Sequence, residues 1–140
     1  MQRILVPVDG SESSSHALAH AIALSRRCGA VDVEVVNVQA AIDGLVQKFV
    51  SQAMIDEFHR TEGEAAVASA RALLAAAGIP HQVSLRVGRV AETIVEHAAK
   101  TRCDLIVMGT RGLGSVGGMV LGSVATKVVH LAGMPVTLVK

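Results

Sequence analysis

Apolar residues occur along this chain in short runs, and longer segments of helical periodicity separate those runs. The first and fourth runs, RILVPV and DLIVM, are almost wholly apolar, which is typical of strands buried on both faces of a sheet. The second run, VDVEVVNV, begins with alternating apolar and polar positions. Five strands are therefore predicted, at residues 3–8, 31–38, 81–87, 104–108 and 135–139.

Four segments between these strands have the apolar spacing of helices. Residues 12–28 have two arginines in the last turn and are followed by Gly29, which is a typical helix end. Residues 45–77 predict one long helix, with Gly63 as a candidate bend. Its apolar face is expected to contain Leu45, Phe49, Val50, Ala53, Met54 and Phe58. The remaining predicted helices are residues 90–100 and 123–131.

Alternating strands and helices of these lengths predict parallel βαβ units with right-handed crossovers. The expected fold class is α/β, a single doubly wound five-stranded parallel sheet with helices on both faces, as in Rossmann-like proteins. A chain of 140 residues is the length of one domain, so residues 1–140 are expected to form one.

Composition limits the partners. The formal net charge is +1, and Phe49 and Phe58 are the only aromatic residues besides histidine. A nucleic-acid binder needs a basic face or stacking aromatics, so this class is not expected. No apolar run approaches the roughly 20 residues of a membrane span, and the start of the chain is unlike a signal peptide. We expect a soluble cytoplasmic protein in which Cys28 and Cys103 are buried or half-buried free thiols.

Six of the thirteen glycines lie between Gly109 and Gly122, directly after the fourth strand and before the last helix. Ligands of doubly wound sheets bind outside the carboxyl ends of the strands, where the winding direction reverses. Glycine allows backbone N–H groups to approach phosphate oxygens, and a helix N-terminus supplies unpaired N–H groups. No acidic residue follows Asp104. This stretch therefore predicts an anion-binding loop.

Two common phosphate motifs match the loop only in part. Gly112, Gly114 and Gly117 form G-x-G-x-x-G, but a dinucleotide fingerprint would follow the first strand and precede a ribose-binding acid. Residues 117–123 read G-x-x-x-x-G-S, which is a P-loop without its lysine. The first match is interpreted as chance, and the second argues against a fast P-loop NTPase.

A third spacing accounts for the loop. Gly109, Gly112, Gly122 and Ser123 form G-x2-G-x9-G-[S/T], and here the sequence resembles the ATP-binding branch of the universal stress protein family. The segments ILVPVDGS, DLIVMGTRG, GSVATKVV and PVTLVK occur in the family's order, so the resemblance covers the whole chain. It implies the family's adenine nucleotide alpha hydrolase-like sandwich.

The resemblance also implies a site for ATP, with Mg²⁺ bridging the phosphates and no metal ligand from protein side chains. The first strand's end would contact adenosine, Val38 would border the adenine, and the last helix would offer backbone N–H groups and the Ser123 hydroxyl to the phosphates. The family commonly has histidine where this chain has Asn37. The implied nucleotide-binding residues are Pro7, Val8, Asp9, Val38, Met108, Gly109, Arg111, Gly112, Gly122, Ser123 and Val124.

Structural roles are alternatives for several of these residues. Asp9 is a turn or N-cap carboxylate for the first helix, Ser123 is a cap for the last helix, and Arg111 is an exposed loop cation. His16 and His20 are spaced i, i+4, but a third metal ligand is not evident, so solvated histidines beside a core face are expected. No G-x-S-x-G elbow supports a hydrolase triad.

Two functions remain open at this point. One is a regulatory module whose ATP occupancy changes its surface or oligomeric state, and the other is a slow ATP hydrolase or nucleotide-dependent transferase. The loop's nearest cations in sequence are Arg111 and Lys127, and the chain shows no obvious general base for the phosphates, which favours the regulatory module.

The last strand is expected at a sheet edge, because no further element follows it to cover its free N–H and C=O groups. The resemblance implies a homodimer in which residues Val136–Val139 pair antiparallel with the same strand of a second chain.

Overall fold

The computed structural model describes residues 2–112 and 121–140. Its five strands form one sheet in the order β3-β2-β1-β4-β5, and each neighbouring pair is parallel. This confirms the predicted fold class. The strands are β1 (Gln2–Pro7), β2 (Val31–Gln39), β3 (His81–Val87), β4 (Leu105–Gly109) and β5 (Val136–Val139).

The helices cover both faces of the sheet, as expected for a doubly wound fold. They are α1 (Glu12–Cys28), α2 (Gly44–Gln47), α3 (Gln52–Ala76), α4 (Val90–Lys100) and α5 (Ser123–Leu131). One core contains Ile4 and Val6 with residues of α1 and α3, and the other contains Leu5 with residues of α4 and α5. The chain winds outward from β1 to β3 and then returns to β4 on the other side of β1. The winding direction therefore reverses between β1 and β4.

The prediction of a single helix over residues 45–77 is wrong. It is divided into α2 and α3 because Ser51 begins a new helix, its hydroxyl accepting a hydrogen bond from the Met54 N–H at 3.2 Å. Gly63 does not interrupt α3, which is continuous from Gln52 to Ala76. It is buried inside the helix, where an added Cβ would lie 3.2 Å from the Leu85 methyl groups.

The apolar face expected for this segment is not the buried one. Phe49 is 81% exposed, and Leu45, Met54 and Phe58 are exposed as well. The buried positions of α3 recur every three or four residues on a different face and are Ile55, His59, Gly63, Val67, Ala70 and Leu74. The part of this face that joins the core is aliphatic and consists of Val67, Ala70 and Leu74.

The second core contains a polar pair. His97 Nε2 of α4 lies 2.7 Å from Glu34 Oε1 of β2, and the Ser84 hydroxyl of β3 donates to the same oxygen at 2.9 Å. Cys103 is buried as expected, and burial raises the pKa of its thiol. Cys28 is exposed, because it lies in the last turn of α1, so the expectation that it is at least half-buried is wrong. None of the described helices has the length and apolar character of a membrane span.

Candidate functional site

A cleft of about 690 Å³ lies at the carboxyl edge of the sheet, beside the ends of β1 and β4. Its volume is in the ordinary range of small-molecule sites. All the residues implied as nucleotide-binding line this cleft, from Pro7 at the end of β1 to Val124 in the first turn of α5. The structure thus brings them together, and their contact with a nucleotide stays a prediction. Gly114 and Gly117 of the partial motifs lie outside the described residues.

Asp9 is a turn carboxylate, and Ser11 is the helix cap. Asp9 Oδ1 accepts the Ser11 N–H at 2.9 Å, and the Ser11 hydroxyl accepts the Ser14 N–H at 3.2 Å. The other Asp9 oxygen faces Gly112, where an added Cβ would lie 2.6 Å from Oδ2. Gly112 is therefore required to be small for Asp9 to keep this position.

Gly109 lets α1 pack against the end of β4. A Cβ at this position would lie 2.7 Å from the Ser13 carbonyl carbon, closer than such atoms can approach. The Ser13 hydroxyl donates to the Val139 carbonyl at 3.3 Å and accepts the Arg111 N–H at 3.4 Å. The beginning of the loop is thus connected to both α1 and β5.

The N-terminus of α5 opens on the cleft, and no side chain of the described residues caps it. Gly122 is the N-cap residue, its N–H donates to the Thr110 carbonyl at 2.6 Å, and a Cβ there would lie 3.2 Å from that oxygen. Ser123 is the first helical residue, so it is not the cap that the alternative interpretation required. The first N–H groups of a helix have no intrahelical partner, and they favour an anion.

The two cations near the loop have different positions. Arg111 is exposed and lines the cleft. Lys127 forms an ion pair with Glu92 of α4, and this hydrogen bond is the main reason why the pKa of the Glu92 carboxyl lies below its usual value. Lys127 is therefore held away from the cleft. Among residues 2–112 and 121–140, no three His, Cys, Asp or Glu side chains cluster as metal ligands.

Sequence reasoning misses part of the cleft wall. It identifies Asn37 only as a departure from a family histidine, and it finds neither Gln39 nor Glu62. Asn37 is 2% exposed, and its amide nitrogen donates to the Val8 carbonyl at 2.8 Å. Gln39 is half-buried, and Glu62 of α3 is exposed at the cleft. The signal that could have found Gln39 is its position at the carboxyl end of β2.

The sequence matches the family model described as the universal stress protein family over residues 1–140. A universal stress protein from Thermus aquaticus is 39% identical over 138 residues, which cover 98% of this chain and 97% of the relative. Universal stress protein MJ0531 from Methanocaldococcus jannaschii is 35% identical over 141 residues, covering 99% of this chain and 82% of the relative.

Solved structures share the fold. The protein MJ0577 superposes with a TM-score of 0.87 at 27% identity, covering 99% of this chain and 95% of its own. Three more distant structures, at TM-scores of 0.74, 0.70 and 0.74, are described as complexes. They are a universal stress protein with cAMP, one from Archaeoglobus fulgidus with dAMP, and one from Arabidopsis thaliana with AMP. Their identities of 24%, 24% and 18%, over at least 99% of this chain, show likeness of fold alone.

Proposed function

We propose a function from one premise: this chain belongs to the universal stress protein family. It is a cytoplasmic regulatory protein that binds ATP in the cleft between β1 and β4. The observation that supports this most directly is the convergence on one cleft of the first strand's end, of Gly109, Gly112 and Gly122, and of the start of α5.

The phosphates lie at the start of α5 in this proposal. Gly122 leaves the approach to the helix N-terminus free of a side chain, and Ser123 and Val124 supply backbone N–H groups there. Mg²⁺ would enter with ATP and would neutralise part of the phosphate charge, while the backbone N–H groups of Ser123 and Val124 would hold the phosphates.

The adenosine lies toward the ends of β1 and β2. Val38 and Met108 give apolar walls, and Asp9 contributes a carboxylate that the turn to Ser11 holds in place. The relatives of the same fold that are described with cAMP, dAMP and AMP support an adenine nucleotide as the ligand class.

ATP is held in this site and turned over only slowly. Phosphoryl transfer needs neutralisation of the moving phosphate and a positioned nucleophile. The sequence has no P-loop lysine, and Lys127 pairs with Glu92 instead. Backbone N–H groups bind the ground state as well as the transition state, and such uniform binding does not accelerate the reaction. Occupancy of the cleft then serves as a signal, read through the protein surface or a homodimer formed at β5.

Two measurements on the purified chain test this function together. A ligand stabilises the state that it binds, so Mg·ATP at a hundred times Kd should add about 2.7 kcal/mol to the free energy of unfolding. The unfolding midpoint should rise accordingly. Single-turnover hydrolysis should run far below the roughly 10 s⁻¹ median of enzymes. An unchanged midpoint would refute ATP binding, and hydrolysis near that median, lost in Gly122→Val, would show an enzyme instead of a regulatory protein.

A further inference from the structure

We infer that an exposed apolar surface, formed by α2 and the start of α3, pairs with the same surface of a second copy of this chain. The surface, hereafter the α2–α3 patch, consists of Leu45, Val46, Phe49, Met54 and Phe58. None of these five residues lines the cleft, so this pairing is separate from the proposed nucleotide site.

The construction of the two helices brings the five side chains of the patch together. The Phe49 N–H donates to the Val46 carbonyl at 3.0 Å, so a helical turn continues beyond α2 to Phe49. Met54 and Phe58 are four positions apart in α3 and therefore share one face of that helix. Phe49 and Met54 are close in sequence, which limits the distance between their Cα atoms to about 17 Å. A single partner can therefore cover all five side chains.

The exposed apolar area of the patch is large for a chain that stays alone. Phe49 is 81% exposed, Leu45 and Met54 are 64% and 63% exposed, and Phe58 is 52% exposed. At about 200 Å² for a whole residue of this size, the patch exposes roughly 600 Å². The largest apolar patch of a typical monomer is about 300–600 Å². Two such patches placed face to face would remove about 1,200 Å² from water, which is the lower limit of a specific interface.

The residue types of the patch are those of an interface core. Phe49 and Phe58 are the only phenylalanines of the chain, and tryptophan and tyrosine are absent from the sequence. Both phenylalanines thus lie on this surface, while the cores beneath the helices are aliphatic. Aromatic residues and methionine are enriched in the buried centre of protein interfaces, where aromatic side chains contribute much of the binding energy. Pairing would bury both phenylalanines and Met54.

The charged residues around the patch argue against two other kinds of partner. Residues 43–60 contain three acidic and two basic side chains, all of them exposed, namely Asp43, Lys48, Asp56, Glu57 and Arg60. An anionic membrane or a nucleic acid favours a basic surface, and this one is not basic. A rim with both signs of charge suits a copy of itself, because acidic groups can then lie opposite basic ones.

Within the described parts of the chain, no second surface matches the patch. The remaining large apolar residues that are exposed are dispersed over α3, β3 and α5, and they are Leu73, Val87, Val129 and Leu131. Head-to-tail association would need a complementary surface elsewhere on the chain, whereas two-fold pairing needs only the patch itself. The patch is also remote from β5, since α3 packs against β2 and β3 and β5 forms the opposite edge of the sheet. Pairing at the patch and pairing at β5 are therefore compatible.

Sedimentation velocity of the purified chain between about 5 and 500 µM tests this pairing, because an interface of this size gives weak association. The average mass of wild type should double over the range, and that of Val136→Pro should rise from one chain to two. The double variant Phe49→Ser/Phe58→Ser loses both aromatic anchors, so its mass should stay constant. Leu73→Ser, which changes an exposed leucine of α3 outside the patch, is the matched control and should associate as wild type does.

The double variant should keep the circular dichroism spectrum of wild type, because both substituted side chains are exposed. Equal masses for wild type and the double variant at about 500 µM would overturn the inference, whether or not Val136→Pro folds. A mass of folded Val136→Pro above two chains would also overturn it, because two-fold pairing closes on itself. Either result would leave ATP binding in the cleft unaffected.

Discussion

The carboxylate of Asp9 and the backbone of Gly112 lie so close together that a methyl group between them would displace the carboxylate. A Cβ added to Gly112 would lie 2.6 Å from Asp9 Oδ2, well inside van der Waals contact. Gly112→Ala should therefore move the Asp9 side chain and weaken ATP binding by about tenfold, the loss expected for one charge-assisted hydrogen bond. Fluorescence competition with a labelled adenine nucleotide would measure it.

Gly133→Ala is the matched control for this substitution. Gly133 lies after α5, and among the described residues no atom other than those of its chain neighbours lies within 4 Å of the position that its Cβ would occupy. This variant should bind ATP as wild type does and change the free energy of unfolding by no more than about 0.5 kcal/mol. Equal affinities for Gly112→Ala and Gly133→Ala would show that Asp9 does not contribute to nucleotide binding.

The two cysteines should differ in reactivity. Cys28 is exposed, whereas Cys103 is buried and the pKa of its thiol is raised, first by burial and then by the charge of Glu34. A higher pKa leaves less thiolate at a given pH, and the thiolate is the reactive form. A thiol reagent at mildly alkaline pH should label one cysteine in the native protein and both in denaturant. Mass spectrometry of the labelled protein would check this, and rapid native labelling of Cys103 would contradict the described burial.

Single residues also show where sequence reasoning stops. Gly109, Gly112 and Gly122 could be placed in the site because their spacing follows a family pattern. The orientation of the Gln39 amide, which donates to Asn37 Oδ1, could not, because it depends on a hydrogen bond from Asn37 to the Val8 carbonyl, just beyond the end of β1. A single sequence contains no signal for such a hydrogen bond between residues that are far apart along the chain.

The edge strand β5 offers its outward backbone groups at alternate residues. The Pro135 carbonyl accepts the Ile106 N–H and the Val139 carbonyl accepts the Thr110 N–H, both from the β4 side. Alternation along the strand puts the backbone groups of Thr137 on this inner side as well, with those of Val136 and Leu138 directed outward. A second chain pairing at this edge would therefore use the N–H groups of Val136 and Leu138.

Proline substitutions should distinguish the outward N–H groups of β5 from the inward ones. Val136→Pro removes an outward donor at the first residue of an edge strand, a place where proline is tolerated, so it should convert the proposed dimer to a folded monomer. Thr137→Pro removes an N–H that faces β4, and it should instead destabilise the chain itself. Analytical ultracentrifugation with circular dichroism would distinguish the outcomes. A wild type that is monomeric at high micromolar concentration would refute pairing at β5.

Helices could be predicted well where their ends carry local signals. The bounds of α1, α4 and α5 agree with the prediction. Basic residues, a glycine or a proline lie at or just after the end of each of these helices. The prediction for residues 45–77 failed because the largest apolar residues there, including Phe49 and Phe58, lie on an exposed face. Hydrophobic periodicity assumes that the most apolar face is buried, and in α3 the buried face contains Gly63 and His59 instead.

The fold and the location of the cleft could be predicted because they follow from general rules about parallel sheets. Alternation of buried strands and helices dictates winding on both faces, and the reversal between β1 and β4 creates a crevice at their carboxyl ends. The residues that line the crevice could not all be predicted in this way. Glu62 of α3 lines it, and Lys127 of α5 does not line it but pairs with Glu92 of α4, and both depend on how separate helices pack together.

Calorimetric titration of Mg·ATP into wild type and Gly122→Val tests the central claim most directly. The valine side chain would occupy the approach to the α5 N-terminus, beside the Thr110 carbonyl oxygen, which lies 3.2 Å from the position of a Cβ at residue 122. Three or four charge-assisted hydrogen bonds, less the cost of association, give wild type an affinity of about micromolar order with one nucleotide per chain. We expect this binding in wild type and its loss in Gly122→Val. A folded wild type that produces no heat of binding, or a Gly122→Val variant that binds ATP equally well, would contradict the claim.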